Sequence, residues 1–170
     1  MTAAFTLFPT AIGPCGIAWG DLGILGLQLP EADEPQARAR MLRRFPAACE
    51  AAPPPEVRRT IDGIAGLLRG EPSDLSAAEL DLTRVPPFHR RVYEIARTIA
   101  PGATLTYGEV ARRLGDLTLA RAVGQALGQN PFPIVVPCHR VIAADGALHG
   151  YGGGLDKKRW LLVHEGALLG

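Results

Sequence analysis

Glycine and proline break this chain into short segments, and their positions constrain the fold more than any other feature of the sequence. In the opening part, short apolar runs lie between turn residues at Gly13-Pro14, Gly20-Asp21 and Pro30. Short apolar runs with turn residues between them are typical of consecutive strands. The sequence therefore predicts an antiparallel meander at the start of the chain.

Two helical patterns follow the predicted meander. Ala37, Met41 and Phe45 recur at four-residue spacing, and a second apolar stripe begins at Val57 and ends at Leu68. This spacing places the apolar side chains on one face of a helix. We expect both helices to cover the sheet, and the 170-residue length then allows two small α/β domains.

Composition and charge limit the number of domains and the class of partner. The chain is 47% hydrophobic and 21% charged, which excludes an intrinsically disordered protein. We place the first domain at residues 1–83, including a linker rich in proline and acidic residues over 71–83, and the second at 84–170. The first domain carries 7 Lys and Arg residues and 11 Asp and Glu residues, so its net charge is −4. The second carries 11 Lys and Arg residues and 6 Asp and Glu residues, so its net charge is +5. A basic second half suits a phosphate-contacting surface, although a solvated structural face gives the same count.

The composition of the first residues and the spacing of the cysteines argue against several further classes of protein. The first Lys or Arg is Arg38, so the apolar start lacks the charged region of a secretory signal, and no run reaches the roughly 18 apolar residues of a membrane span. We therefore expect a soluble, cytoplasmic protein that does not bind membranes. Cys15, Cys49 and Cys138 form neither a Cys-x-x-Cys pair nor an even set, which argues against a disulfide framework.

Two short helices are predicted in the second half, after a helical apolar stripe over residues 88–99. Thr106 and Glu109 have the spacing of a capping box, which begins a short helix that ends at Gly115. Thr118 is the predicted cap of the next helix. Two short helices joined by a few residues indicate a helix-turn-helix, although many structural helix pairs share this pattern.

The second of these helices has an unusual surface. Ala120, Gly124 and Gly128 fall on one stripe. A glycine inside a helix costs about 1 kcal/mol relative to alanine, so Gly124 indicates that a neighbouring element or a nucleic-acid backbone approaches closely. Arg121 lies in the first turn, where a cation opposes the helix dipole. The small-residue stripe by itself favours packing against a neighbouring element of the protein, whereas the placement of Arg121 favours a functional interpretation of this helix.

A thiol lies next to an imidazole in Pro137-Cys138-His139-Arg140-Val141, at the end of an apolar run. The thiolate is the nucleophilic form of cysteine, and a nearby histidine can lower the thiol pKa. Adjacent residues of an extended segment point to opposite faces, so the two side chains need not touch. A buried inert cysteine and a satisfied core histidine are the structural alternatives.

The same string resembles the active-site motif of the O6-alkylguanine-DNA alkyltransferases, also called methylated-DNA–protein-cysteine methyltransferases. The resemblance covers about residues 86–167. It continues through Tyr107-Gly108-Glu109-Val110-Ala111, Arg121-Ala122-Val123-Gly124, Asn130-Pro131, Tyr151-Gly152-Gly153-Gly154-Leu155 and Trp160-Leu161-Leu162-x-His164-Glu165-Gly166. This resemblance implies a ribonuclease-H-like N-terminal sheet with helices and a mainly helical, winged-helix-like C-terminal domain that carries the helix-turn-helix.

The resemblance implies direct-reversal DNA repair without a cofactor. The alkyl group of O6-alkylguanine, and of O4-alkylthymine, would move irreversibly to Cys138, once per protein molecule. His139 and Glu165 match the activating pair, in which the carboxylate orients the imidazole and the imidazole takes the thiol proton through a water. Tyr107 matches a tyrosine that helps to rotate the phosphate and gives a proton to N3 of the departing guanine.

The implied partner is double-stranded DNA containing an alkylated guanine, bound through its minor groove by a monomer. The damaged nucleotide must leave the base stack before it can reach a buried thiol. Arg121 matches the family's finger, which takes the place of the extruded nucleotide. The small surface of Ala120, Ala122 and Gly124 matches the helix face that enters a groove only about 6 Å wide.

The resemblance also assigns the lining of the substrate pocket. The matching residues are Asn130, Val141, Tyr151, Gly152 and Gly153. The structural alternatives are a core tyrosine at Tyr107, a turn asparagine at Asn130 and a plain flexible loop over 151–154. The chain departs from the family at Leu119, where a small residue is usual, and some members hold zinc through Cys and His in the first domain. No His precedes His89, so we predict no structural metal.

Two other functions are alternatives to alkyl transfer. A non-enzymatic helix-turn-helix binder of alkylated DNA, or a transcriptional regulator, would use the same DNA surface, but such binders lack the cysteine found here at Cys138. A papain-like Cys-His hydrolase would require turnover on an acyl substrate, and the sequence carries no signature of that class.

Overall fold

A computed structural model describes residues 3–146 and 155–168 of the chain. The chain forms two compact units. The first contains the residues up to Arg84 together with Pro131–Val135, and the second contains Val85–Asn130 together with the residues from Val136 onward. Both units combine helices and strands, which confirms the predicted α/β class.

The first unit is built on a four-stranded mixed sheet in the order β3-β2-β1-β4. Strands β1 (Ala4–Thr10), β2 (Gly13–Gly20) and β3 (Gly23–Gln28) form the predicted antiparallel meander. Strand β4 (Cys49–Glu50) pairs in parallel with β1. The sequence analysis missed β4, because two residues are too few to produce an alternating pattern.

Helices α1 (Glu34–Arg44) and α2 (Pro55–Leu68) follow at the two predicted positions. Met41 of α1 is fully buried in a core cluster that includes side chains of the sheet. A Cβ atom on Gly16 would lie 2.7 Å from the Met41 sulfur, so a larger residue there would require the Met41 side chain to shift. Among the described helices α2 is the longest, with 14 residues, and none of them could cross a bilayer.

The outer edge of β3 is covered by two other parts of the chain. The N–H of Ile24 donates to the carbonyl of Glu79, and the N–H of Asp81 donates back to Ile24, both at 2.8 Å. The N–H of Leu27 donates to the carbonyl of Pro131 at 2.9 Å. Part of the segment interpreted as a linker therefore pairs with the sheet.

The second unit holds four helices and two very short strands in its described residues. In chain order they are α3 (Pro87–Ala96), β5 (Leu105–Thr106), α4 (Tyr107–Arg113), α5 (Ala120–Gly128), β6 (Val141–Ile142) and α6 (Leu155–His164). The helix predicted over 88–99 ends earlier, at Ala96, and continues as a turn in which the N–H of Ile99 donates to the Ala96 carbonyl.

The predicted capping box is present at the start of α4. The Thr106 hydroxyl accepts the N–H of Glu109, and the Glu109 carboxylate accepts the N–H of Thr106, each at 3.0 Å. These two bonds satisfy backbone donors that have no partner inside the helix. Tyr107 is therefore held as the first residue of α4.

The turn between α4 and α5 differs from its prediction in one respect. Asp116, not Thr118, provides the cap: its carboxylate accepts the Thr118 N–H at 2.9 Å and begins a short 3₁₀ turn, Leu117–Leu119, that leads into α5. Asp116 has the extended backbone that a capping residue needs, and its side chain can reach a donor two residues ahead. Gly115 has a φ of +98°, which explains the glycine at the end of α4.

Candidate active site

The residues Cys138–Arg140 form one 3₁₀ turn, which we call the reactive turn. The N–H of Arg140 donates to the carbonyl of Pro137 at 2.9 Å and closes it. The expectation of an extended segment is therefore wrong at this point. The side chains of the reactive turn are buried: Cys138 is 8% exposed and His139 is fully enclosed.

The structure brings His139 and Glu165 together, although 26 residues separate them in the sequence. His139 Nε2 lies 3.0 Å from each oxygen of the Glu165 carboxylate. Glu165 directly follows the last residue of α6, and its side chain is only 2% exposed. A buried carboxylate on one ring nitrogen fixes the orientation of the imidazole.

Arg140 completes this cluster and was not predicted. Its Nε and Nη2 atoms donate to the two Glu165 oxygens at 2.8 and 2.7 Å, and its Nη1 atom donates to the Ile99 carbonyl at 2.6 Å. Two parallel bonds of this kind are the strongest form of arginine–carboxylate pairing. The sequence did contain a signal for this contact, because Arg140 lies within an apolar run and a charged residue that is buried requires a partner.

These contacts determine the protonation states of Glu165 and His139. Burial alone would raise the pKa of Glu165, but the hydrogen bonds and charges of Arg140 and His139 outweigh it and lower that pKa to about 2. Burial lowers the pKa of His139 despite the opposing effect of Glu165. At neutral pH the cluster therefore holds an ionised carboxylate and a neutral imidazole, which can accept a proton.

The thiol of Cys138 is protonated at neutral pH. Burial raises the pKa of Cys138, and it is opposed by a hydrogen bond with the Asn130 side chain, by the charge of Lys158 and by backbone N–H groups of the reactive turn. Because burial has the larger effect, a base must take the proton as the sulfur attacks. The reactive turn thus combines a nucleophile with a base, and Glu165 orients the base.

Asn130 links the end of α5 to the segment that precedes the reactive turn. Its Nδ2 atom donates to the Val136 carbonyl at 2.9 Å. Val136 is fully buried and stands two residues before Cys138. Together with its contact to the thiol, this bond gives Asn130 a position from which it holds the sulfur in place.

Tyr107 lies near the reactive turn because β5 pairs in parallel with β6. Thr106 of β5 is opposite Ile142, and Leu105 is opposite Val141, which directly follows the reactive turn. The ring of Tyr107 is half-buried. Burial raises the pKa of the Tyr107 phenol, and the charge of a Cys138 thiolate raises it further, so the phenol keeps its proton at neutral pH.

The structure places the predicted DNA-contacting residues on α5. Arg121 is exposed in the first turn, and Ala120, Ala122 and Gly124 are half-buried. A Cβ atom on Gly124 would meet the Tyr107 ring at 3.8 Å, which is ordinary van der Waals contact. The packing of the described residues therefore does not require glycine at this position.

Val141 is the one remaining pocket residue that the structure describes, and Lys158 lies beside it. Val141 is fully buried, and its carbonyl accepts a hydrogen bond from Lys158 at 2.9 Å. Lys158 was not predicted, although it lies two helical turns before Glu165 and so falls on the same side of α6. Tyr151 lies outside the described residues, as do Gly152 and Gly153.

No group of three or more His, Cys, Asp or Glu side chains is arranged to hold a metal ion in the described ranges. The absence of a metal and of a cofactor stays a prediction.

Comparison with known proteins relates this arrangement to a family. A family profile described as "6-O-methylguanine DNA methyltransferase, DNA binding domain" matches residues 87–167. The chain is 36% identical over 154 residues to the methylated-DNA–protein-cysteine methyltransferase of Methanothermobacter thermautotrophicus, covering 91% of this chain and 80% of the relative. It is 54% identical over 83 residues to the protein of the same name from Shigella flexneri, covering 49% of this chain and 48% of the relative. This second match spans about half the length of the relative.

Among solved structures, the fold is similar to that of the Mycobacterium tuberculosis OGT crystallised in complex with DNA. The TM-score is 0.79 at 34% sequence identity, and the match covers 96% of this chain and 93% of that chain. The similarity therefore extends over both units.

Proposed function

Because the chain belongs to the family of methylated-DNA–protein-cysteine methyltransferases, we propose that it repairs O6-alkylguanine in DNA by moving the alkyl group to Cys138. The observation that carries this proposal is the reactive turn. A buried thiol stands next to a neutral imidazole, and a paired, ionised Glu165 holds that imidazole. This arrangement provides a nucleophile, a base and an orienting group for the base.

In the proposed reaction, the alkyl carbon loses its bond to O6 of the guanine and gains a bond to the Cys138 sulfur. His139 takes the Cys138 proton through a water, and the sulfur attacks the alkyl carbon as the bond from that carbon to O6 breaks. The bonding electrons go to the guanine, and Tyr107 supplies a proton to N3, which neutralises the departing base. The Tyr107 phenol carries its proton when the reaction starts, because burial raises its pKa. The resulting thioether is stable, so each protein molecule acts once.

The burial of Cys138 requires the nucleotide to leave the duplex. A thiol that is 8% exposed cannot reach an alkyl group inside a base stack, so the damaged nucleotide is flipped out. Arg121 is exposed in the first turn of α5 and fills the gap that the nucleotide leaves. The face of Ala120, Ala122 and Gly124 lies in the minor groove, where its small side chains let the helix approach the DNA.

The substrate pocket is assigned from the same resemblance. Asn130 and Val141 adjoin the reactive turn. We assign them to the pocket lining together with Tyr151, Gly152 and Gly153, which are assigned from the resemblance alone. O4-alkylthymine is a second substrate, because it presents an alkylated exocyclic oxygen to the sulfur in the same way. We also propose that the first unit has the ribonuclease-H-like fold and that the second unit has the winged-helix-like fold. We propose that the protein binds DNA as a monomer.

Intact mass spectrometry tests the proposed function. We expect one methyl group per molecule after incubation with excess duplex DNA that contains O6-methylguanine, located on the peptide that holds Cys138. Cys138→Ser should gain no mass and should leave the lesion in the DNA. A protein that binds the damaged duplex without gaining mass would instead be a non-enzymatic binder, and a methyl group on another residue would reject the assignment.

A further inference from the structure

Lys158 is a buried ammonium beside the reactive turn, and the proposed function gives it no role. Its side chain is 1% exposed, although lysine is among the residues that are almost never fully buried without a partner. Its Nζ atom donates to the Val141 carbonyl at 2.9 Å and lies 5.9 Å from the centre of the Tyr107 ring. A carbonyl and an aromatic ring accept an ammonium without neutralising its charge.

One side of α6 holds the reactive turn at two points. Lys158 binds the backbone immediately after the turn, through Val141. Glu165, two helical turns further along, binds the side chains of His139 and Arg140. Helix α6 and the residue that follows it therefore supply a buried cation and a buried anion to the site.

On the premise of the proposed function, we propose that Lys158 is a positioning residue for alkyl transfer: its ammonium fixes the backbone behind the reactive turn and supplies the positive charge that favours the Cys138 thiolate. Burial opposes a thiolate, because the charged sulfur loses its hydration. A cation fixed to the backbone three residues after Cys138, in a water-poor site, offsets this cost more effectively than it would in water.

The charges of Cys138 and Lys158 each shift the pKa of the other group. Burial raises the pKa of Cys138, and the charge of Lys158 opposes that rise. Burial lowers the pKa of Lys158, and a thiolate at Cys138 opposes that fall. The same ammonium lowers the pKa of His139, together with burial as the larger cause, so it favours the charged sulfur but not the charged imidazole.

The other ionisable groups of the described site are engaged differently. Arg140 is paired through two hydrogen bonds with Glu165. Tyr93 of α3 donates its hydroxyl to the Ala126 carbonyl at 2.7 Å, and burial raises its pKa. Tyr107 of α4 also keeps its proton, because burial raises its pKa. Neither phenol supplies a charge at neutral pH, and the guanidinium is matched by a carboxylate, so the charge that acts on the sulfur is assigned to Lys158.

The test follows the alkylation of Cys138 by iodoacetamide as a function of pH, in the full-length chain. Lys158→Met removes the charge at similar length, Lys158→Arg keeps a charge, and Lys157→Met is the control at the neighbouring, more exposed lysine. We expect Lys158→Met to move the midpoint of the pH profile up by about one unit. The rate at pH 7 then falls about tenfold, and the rates converge with those of the unaltered protein at high pH. Lys158→Arg and Lys157→Met should keep the original midpoint.

An unfolded fraction exposes Cys138 as an ordinary thiol, which reacts faster than the buried one, so it appears as a separate fast phase and the midpoint is taken from the slow phase of the folded protein. An unchanged midpoint in Lys158→Met would overturn the proposal, and so would a midpoint in Lys158→Arg that matches that of Lys158→Met. The outcome is separate from that of the proposed function. If the unaltered protein takes no methyl group from DNA, the proposed function fails, while the iodoacetamide profiles still decide the role of Lys158.

Discussion

Replacing Arg140 with methionine tests how strongly the buried cluster stabilises the second unit. Methionine is similar in length to arginine but has no charge and no donor. The substitution removes both hydrogen bonds to Glu165 and the one to the Ile99 carbonyl. Glu165 keeps its contact with His139, yet its side chain remains 2% exposed and loses the cation that neutralises it.

The size of the effect follows from the burial of the pair. Removing one partner of a buried ion pair destabilises a protein by about 3–5 kcal/mol, because the other charge stays buried without compensation. For a chain of this size, each 1 kcal/mol lowers the melting temperature by about 2–4 °C. We therefore expect Arg140→Met to melt about 6–20 °C below the unaltered protein at pH 7.

The pH dependence of this difference is a second part of the prediction. The pKa of Glu165 is lowered from 4.5 to about 2 in the folded protein. Its stabilising effect is therefore fully present above pH 4.5 and is lost as the pH falls toward 2. The difference in melting temperature between the two proteins should be largest near neutral pH and should narrow across this acidic interval.

Thermal denaturation followed by circular dichroism at several pH values measures both effects. Arg159→Met, which removes an exposed arginine of α6, is the matched control, and its melting temperature should change by no more than about 2 °C. An Arg140→Met protein that melts within about 2 °C of the unaltered chain at pH 7 would refute the reasoning, since a buried pair cannot be lost at so small a cost.

Three further experiments address the proposed reaction. The rate at which free O6-benzylguanine alkylates Cys138 should rise from neutral to alkaline pH, because burial raises the thiol pKa, and a flat profile would contradict a protonated resting state. Arg121→Ala should slow repair in duplex DNA more than reaction with the free base, since only the duplex requires flipping, and equal losses would remove the finger role. Gly124→Ala should stabilise the protein by up to about 1 kcal/mol in urea denaturation, because alanine favours the helix and meets only the Tyr107 ring. The same variant should repair duplex DNA more slowly, and unchanged repair would argue against a minor-groove contact at this helix.

Local sequence patterns predicted much of the fold. The meander, the two helices that follow it, the capping box at Thr106 and the pair of short helices all depend on contacts between residues close in sequence. Such patterns are strongest where one face of an element is buried. The two-residue strands β4, β5 and β6 were missed, because their pairing depends on where distant segments meet.

The residues of the site also fall into those that the sequence predicted and those that it did not. The motif around Cys138 led to His139 and Glu165 through the family resemblance, and the structure brings the latter two together. Arg140 and Lys158 were missed, because a charged residue in a sequence is usually solvated. Their burial becomes apparent only when the segments that end the chain pack against the reactive turn.

The short ladder between β5 and β6 has a consequence for how this protein can change. It ties the backbone just before Tyr107 to the backbone just after Arg140. A one-residue insertion on either side of the ladder would displace the phenol relative to the sulfur, even with both side chains intact. Lengthening these segments to admit bulkier lesions should therefore slow the proposed reaction, whereas exchanging side chains at constant length leaves the spacing of the phenol and the sulfur unchanged.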